Sequence, residues 1–443
     1  MKHVGVLESN LSGSGFEGLR VAKELGHRVT FFTRGIERYL AIPGASRYFD
    51  EYVDEIVFCE TNDAAAVLRE VRAVEPFHPF SGFLTLGDYD VVVAADVATE
   101  LGLPAPDPAG VRTARNKALM RARCARFGVP MPGFRRVRDA EQAAAAATAL
   151  GLPCVVKPAD ENSGSDVRRC ASVDEVAGHV AAILAKTRNT RGQPRHHEVL
   201  VEECALGFEV SVELLVMGQV CHVFGVTDKA VGGHNRFVEL GHVFPSLLPP
   251  AIVDECARVA VAAVNACCFD LGMAHVELKY TARGPRLIEI NPRPAGGKIT
   301  DLVDLTTGVR CLELVVRQYL GEHVAGDLPG RPAGGAAVRY LTADPGTVRA
   351  VTGLATAAAM PGVREAVVSV APGDVVGPLL RNHDRVGHVL AAGPDPYLAS
   401  RLADAAAHEI AVLTAPEPTA PEPTAPGPDA PGPDGGRPGR GAP

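Results

Sequence analysis

Two carboxylates and an amide at strand spacing are the residues of this chain best suited to grip a hard cation. They lie in Ala274-His-Val-Glu277-Leu-Lys-Tyr-Thr-Ala-Arg-Gly-Pro-Arg-Leu-Ile-Glu289-Ile-Asn291-Pro-Arg293, which reads as two strands around a Gly-Pro turn. Strand side chains alternate faces, so Glu289 and Asn291 share one. A turn centred on Arg283 sets Glu277 directly opposite Glu289. Like charges held that close repel unless a cation lies between them. An all-oxygen set of this kind suits Mg²⁺ shared with phosphate oxygens. The alternative is a hairpin with charged residues on its wet face.

Other stretches supply what a bound nucleotide would need. Lys157 closes the apolar strand Pro153-Cys-Val-Val-Lys-Pro158 and precedes the polar run Ala159–Arg168, which carries Ser163-Gly164-Ser165. A lysine there can meet phosphates while backbone N–H groups of the loop cover them. Lys117 lies on a basic helix read over Val111–Phe127, where a solvated face is the competing explanation. Glu202-Glu203-Cys204-Ala205 follows a strand, and Gly207-Phe-Glu209 comes next. A strand leaving its sheet exposes an N–H and a C=O that can copy base pairing, and a nearby carboxylate can hold ribose hydroxyls. A strand–loop–strand with wet acids fits the same residues.

These residues need elements to position them. With 443 residues and 47% hydrophobic content, the chain can bury large cores in roughly two to four units. Strands at Val4–Leu7, Val29–Phe32, Ile56–Phe58 and Gly82–Leu86 alternate with helices at Phe16–Leu25, Ala64–Val74 and Asp90–Leu101, which predicts a parallel α/β sheet over residues 1–105. Gly13-Ser-Gly15-Phe-Glu-Gly18 matches GxGxxG, but Gly13 lies six residues beyond Leu7, too far for a dinucleotide fingerprint. A glycine turn that lets a helix pack closely on the sheet is the better reading. After the Pro-rich joint Leu103–Pro108 come helices over Glu141–Leu150 and Val173–Leu184. Strands follow at Val199–Glu202, Val210–Val216 and Val220–Thr227. Thr187–His197 is charged and aperiodic and is expected to be mobile. Residues 331–413 read as a small α+β cap ending in a helix over Pro396–Leu413. From Thr414 the chain is rich in Pro, Gly and Asp with no aliphatic larger than Ala, the composition of a disordered tail.

Composition also excludes. Net charge is −8, Trp is absent and aromatics are 5%, which argues against a nucleic-acid partner. No apolar run approaches the ~18 residues of a membrane span. Ten scattered Cys without a CxxC pair fit reduced thiols. The expectation is a cytoplasmic protein with neither nucleic acid nor membrane as partner.

Taken in order, Lys117, Lys157 with its glycine loop, Glu202-Glu203, Glu209, Glu277, Glu289, Asn291 and Arg293 resemble the ATP-grasp superfamily of ligases over roughly residues 105–310. The resemblance implies a three-part ATP-grasp architecture. An α/β N-terminal domain (1–105) is followed by α+β ATP-grasp domains (106–330). The first subdomain (106–198) carries a lid loop and the second (199–330) the metal site. The small cap (331–413) and the tail (414–443) complete the chain. By the same resemblance Lys117 and Lys157 bind the α/β-phosphates of ATP, and Ser163, Gly164 and Ser165 close over them. Glu202 and the backbone of Glu203 and Ala205 hold adenine, with Glu209 on the ribose. Glu203 departs from the pattern, standing where many members have lysine. Glu277, Glu289 and Asn291 bind Mg²⁺, for which Mn²⁺ can substitute, and Arg293 steadies the acyl phosphate or carboxylate.

A narrower similarity is to the dipeptide-forming L-amino acid ligases and related acid–amine ligases. It rests on Val226-Thr-Asp-Lys229, Phe237-Val-Glu-Leu-Gly-His-Val-Phe-Pro245 and Asn291-Pro-Arg-Pro-Ala-Gly-Gly-Lys-Ile299. Family members use the first two around the substrates. The third would bring the Gly296-Gly297 turn to the acyl group, and His242 and Lys298 are carried over as catalytic candidates. The implied reaction joins a small carboxylate to an amine through an acyl phosphate, releasing ADP and phosphate, in an enzyme that analogy makes a homodimer. The base stays open between His242 and a substrate-assisted route. Ligases of the purine-pathway or carboxylase type, and a catalytically silent nucleotide-binding protein, are the alternatives.

Overall fold

The computed structural model describes residues 1–10, 14–42, 44–162, 164–232 and 237–415. The first sheet contains β1 (His3–Leu7), β2 (Arg28–Thr33), β3 (Glu55–Phe58) and β4 (Gly82–Leu84), all parallel in the order β3-β2-β1-β4. Strands β1, β2 and β4 are short, largely apolar and buried, as parallel sheets require, while β3 at the edge is only partly covered. The helix Ser14–Glu24 packs close to this sheet because Gly18 lacks a side chain: a Cβ there would lie 1.9 Å from Leu86 Cδ1. That agrees with a packing role for the glycine turn, whose Gly13 lies outside the described residues.

The second sheet is antiparallel, ordered β5-β8-β6-β7, from β5 (Phe134–Val137), β6 (Cys154–Pro158), β7 (Arg168–Cys170) and β8 (Val199–Glu203). Helices Ala140–Leu150 and Val173–Leu184 cover it through Ala143, Ala147, Val176 and Val180.

The third sheet carries most of the site. It runs through β9 (Gly207–Met217), β10 (Val220–Gly232), β11 (Val238–Phe244), β12 (Leu271–Thr281), β13 (Gly284–Asn291) and β14 (Gly335–Leu341). Later in the chain β15 (Gly346–Thr352), β16 (Val363–Val368), β17 (Val375–Val376), β18 (Gly387–Gly393) and β19 (Ala411–Ala415) follow. The eight-stranded order is β13-β12-β9-β10-β11-β14-β18-β16, while β17-β15-β19 form a small separate sheet. The strands of the expected cap therefore extend the large sheet through β14. Helix Pro250–Cys267 covers one face, packing on Val210, Val212, Val276 and Leu287. Leu215 and Met273 face the other way, into a core shared with Val6, Leu84 and Leu312. Helix Cys311–Tyr319 joins the first sheet to the third: Gly82 lies so close that a Cβ would be 2.5 Å from Tyr319 O.

Four expectations change. The basic helix over Val111–Phe127 is two helices, Pro108–Arg115 and Lys117–Arg126. Asn116 breaks it with an extended backbone and caps the second helix, its Oδ1 accepting from Ala118 N and Leu119 N. The last helix stops at Glu409, and the β-branched and aliphatic run beyond it pairs with β15. Thr414 and Ala415 belong to that strand, and the rest of the expected disordered tail lies outside the described residues. Thr187–His197 is pinned, not loose. Arg195 is buried against Glu161 (2.9 Å) and Asp166 (3.2 Å), and Gln193 donates to Tyr89 O.

No helix among the described residues is long and apolar enough to cross a membrane. All ten cysteines are free thiols.

Candidate active site

The site is written across strands as ladders on one face of the large sheet. Lys229, Glu209 and Lys279 stand side by side on β10, β9 and β12. The next rung is Thr227, Ser211, Glu277 and Glu289, and the one beyond holds Glu213, His275 and Asn291. Each rung is two residues from the last, so all point the same way. The turn sits at Ala282-Arg283, and alone it would misalign the acids by one residue. A bulge restores the register: Leu278 pairs with Leu287 but Glu277 with Glu289, leaving Ile288 unpaired. The carbonyl thus freed accepts from Arg121 Nη2 (2.9 Å) and Lys157 Nζ (3.4 Å).

Glu277 and Glu289 are neutralised by lysines rather than buried apart. Glu289 lies 2.9 Å from Lys117 Nζ and accepts from Asn291 Nδ2 at 3.0 Å. Burial would raise its carboxyl, but Lys117 holds it far below the usual range. Lys229 Nζ sits among Glu209 (3.1 Å), Glu239 (2.8 Å) and Glu277 (3.2 Å), and against burial these carboxylates keep it charged. Glu277 also meets His275 Nε2 at 3.2 Å, and Glu213 holds the opposite ring nitrogen at 3.0 Å. Burial would lower His275, but Glu213 and Glu277 raise it to about 9. Glu209 itself is pushed up by burial despite Lys229.

Lys157 and Glu202 form a second cluster. Arg121, fully buried rather than on a solvated face, forks onto both Glu202 oxygens (2.7 and 3.2 Å), and Lys157 Nζ adds a contact at 2.9 Å. Burial would raise Glu202, yet Arg121 and Lys157 hold it at about 2. Its carboxylate is therefore spent inside the protein, which corrects the expectation that it is free for adenine. Glu203 pairs with Arg283 and accepts from Gly133 N. Its departure from lysine is thereby balanced by Arg283. Among the described residues no protein acceptor takes the Ala205 N–H, so the backbone edge after β8 stays available.

These residues line one cavity of about 170 Å³. Lys117, Lys157, Gly164, Ser165, Glu202, Glu203, Ala205, Glu209, Glu277 and Glu289 all border it, with Lys229 and Glu239. Ser163 lies outside the described residues. Arg293 lies off this lining, with Nε 3.4 Å from the buried Asp88 of the first domain. Burial would raise Asp88, but Arg115 and Arg293 keep it low. His242 is buried, has no hydrogen-bond partner on either nitrogen among the described residues, with Glu239 3.7 Å from Nε2, and is pushed down by burial. Gly297, at φ +61, sits against it: a Cβ would lie 3.1 Å from His242 Nε2. Lys298 turns away, its Nζ on Glu365 at 2.8 Å and Asp301 at 3.5 Å. The structure thus brings Gly297 to His242 but commits the Lys298 ammonium to the C-terminal strands.

Arg121, Glu213 and His275 are site residues that sequence reasoning did not single out, and Lys229 and Glu239 entered it only within the two segments set around the substrates. His275 was within reach, since it shares a strand face with Glu277. The others needed the register of neighbouring strands.

Family models match residues 19–105 as an ATP-grasp N-terminal domain, 150–301 as an ATP-grasp domain and 339–415 as L-amino acid ligase C-terminal domain 2. The chain belongs to the ATP-grasp superfamily, in the three-part form that ends in the C-terminal domain of the L-amino acid ligases. It is 30% identical over 364 residues to an uncharacterized protein of Sinorhizobium fredii, y4rH, covering 80% of this chain and 73% of that one. It is 29% identical over 325 residues to carnosine synthase 1 of Gallus gallus, covering 70% of this chain but only 34% of that enzyme, about a third of its length. Among solved structures it superposes on an L-amino acid ligase from Bacillus licheniformis with a TM-score of 0.78 at 20% identity, covering 94% of this chain and 99% of that one. That likeness concerns the fold.

Proposed function

We propose that the protein is an ATP-dependent carboxylate–amine ligase that forms an amide through an acyl phosphate, releasing ADP and phosphate. The observation that carries the reading is the Glu277–Glu289 rung, which borders the cavity that Lys117 and Lys157 also line, with Asn291 bonded to Glu289. Both carboxyls lie below their usual range and so are anionic, as a hard cation requires. Among the described residues no three His, Cys, Asp or Glu side chains form a cage complete in itself. Glu277, Glu289 and Asn291 instead fit Mg²⁺ whose remaining positions go to phosphate oxygens. Bound there, the ion would spread positive charge over the transferring phosphoryl group.

The chain's own residues do the rest. Lys117 and Lys157 neutralise the nonreacting phosphates, and the Glu203–Ala205 edge takes the base. Glu209 takes the ribose. Arg293 orients the acid so that its oxygen attacks the γ-phosphorus in line as ADP leaves. The amine then attacks the acyl carbon and phosphate departs with the oxygen that came from the acid. Gly164 and Ser165 close over the reacting groups and exclude water from the acyl phosphate. Neutral His242 beside the Gly297 backbone is placed to assist the second step. The L-amino acid ligase and carnosine synthase likenesses support amino acids as substrates and a dipeptide-type product.

The test offers Mg·ATP with amino acids and small carboxylic acids, singly and in pairs, and detects nucleotide, phosphate and product mass. ADP and phosphate that require a particular pair, with the matching amide mass, are expected. AMP and pyrophosphate would overturn the mechanism.

A further inference from the structure

The first sheet reverses its winding between β1 and β4. Open parallel sheets take ligands outside the carboxyl ends of their strands at such a point. Here the strand tips are Glu8-Ser9-Asn10 and Thr85 to Asp90, tied together by Asn10 Nδ2 donating to Leu86 O at 3.0 Å. Asp90 is 2% exposed and precedes helix Val91–Glu100, yet its side chain caps nothing. Its Oδ1 is buried with no partner among the described residues. Burial, and next the Glu8 charge, push it up to about 8, so an added cation would be welcome there. Arg38 presents Nε and Nη1, both buried and without a partner among the described residues, while its Nη2 donates to Ser9 O at 3.0 Å.

Arg38 reaches Ser9, and Asp90 lies against Gly87, which packs on Ser9. A Cβ placed on Gly87 would lie 3.1 Å from Asp90 Oδ2 and 3.6 Å from Ser9 C. Glu8 is no competitor, because Thr33, Thr61, Tyr39, the Arg34 N–H and Arg191 already surround its oxygens. An unused buried acceptor and an unused buried donor edge are costly unless a ligand completes them. Two residues before Asp90, Asp88 holds Arg293, so the same loop reaches the reacting end.

We propose that this crevice binds the amine substrate as an α-amino acid, with its ammonium on Asp90 and its carboxylate on Arg38. The inference rests on the ligase reading above and names the acceptor's class. The activated acid does not fit here, since its one carboxylate must reach the γ-phosphate and cannot also sit on Arg38. Arg38 suits a carboxylate that takes no part in the chemistry.

Steady-state kinetics of Asp90→Asn and Arg38→Gln, varying each substrate in turn, test this. Losing a charged hydrogen bond should raise the amine KM by about tenfold or more in each variant, with the ATP KM little changed. Arg38→Gln should also lose the wild-type preference for an α-amino acid over its carboxamide. An unchanged amine KM in both variants, or a rise confined to the acid, would overturn the site. If no acid–amine pair yields product with the wild type, the ligase reading fails, and calorimetric titration with the twenty L-α-amino acids reads the crevice separately. Binding to the wild type that both variants abolish would uphold it, and no binding to the wild type would overturn it.

Discussion

Glu202 and Glu289 stand in the wall of one cavity, each with a lysine nitrogen 2.9 Å away. Their surroundings differ. Arg121 and Lys157 bring three donors to the two oxygens of Glu202 and leave at most one acceptor site on Oε1. Glu289 has one lysine and one amide, and it faces Glu277 across the rung. The first carboxylate is closed and structural. The second is charged, shared and open on one side. Burial and charge alone do not separate a structural acid from a functional one; the count of donors that saturate each oxygen does.

That contrast can be broken first at the open side. Glu289→Ala should lower ADP release by roughly 10³-fold, since several kcal/mol of transition-state charge stabilisation go with it. Its thermal midpoint should stay close to that of the wild type. A collapse of the fold instead would place Glu289 with Glu202. At the closed side the expectation reverses. Arg121→Met leaves a buried carboxylate with only Lys157 and should cost about 3–5 kcal/mol in urea unfolding. The double variant with Glu202→Gln should recover much of that loss.

Acid titration sharpens the same point. Glu202 is held at about 2, below its ordinary range, so the stability it contributes is present at neutral pH. It is lost as pH falls from the ordinary carboxylate range through about 2. Unfolding followed from pH 6 down to about 2 should therefore be less steep in Glu202→Gln than in the wild type. The smallest effect is expected at Lys298. Glu365→Gln removes a partly exposed pair and should change stability by less than about 1 kcal/mol. A large loss of turnover there would return Lys298 to the chemistry.

Much of this was legible in the chain. Alternation along Val276–Tyr280 and Leu287–Asn291 was enough to oppose Glu277 and Glu289, although a bulge at Ile288, rather than a turn on Arg283, creates the pairing. Local patterns also marked Lys157 and the glycine loop. Arg121 was passed over because a basic helix looks solvated until its neighbour, a strand some eighty residues later, supplies Glu202. Glu213 was hidden, and Lys229 had no role beyond its segment, for the same reason: their meaning lies in cross-strand register, which a single strand does not carry. The break at Asn116 was legible in principle, since Asn followed by a helix former is a cap signal.

The central claim is that the acid is activated by phosphoryl transfer in the cavity that Glu277 and Glu289 border. The most direct measurement is turnover with the acid labelled by ¹⁸O in its carboxylate, followed by mass analysis of the released phosphate. One labelled oxygen in phosphate, with ADP as the nucleotide product, is the predicted result. Label in AMP, or none in phosphate while the amide still forms, would contradict it.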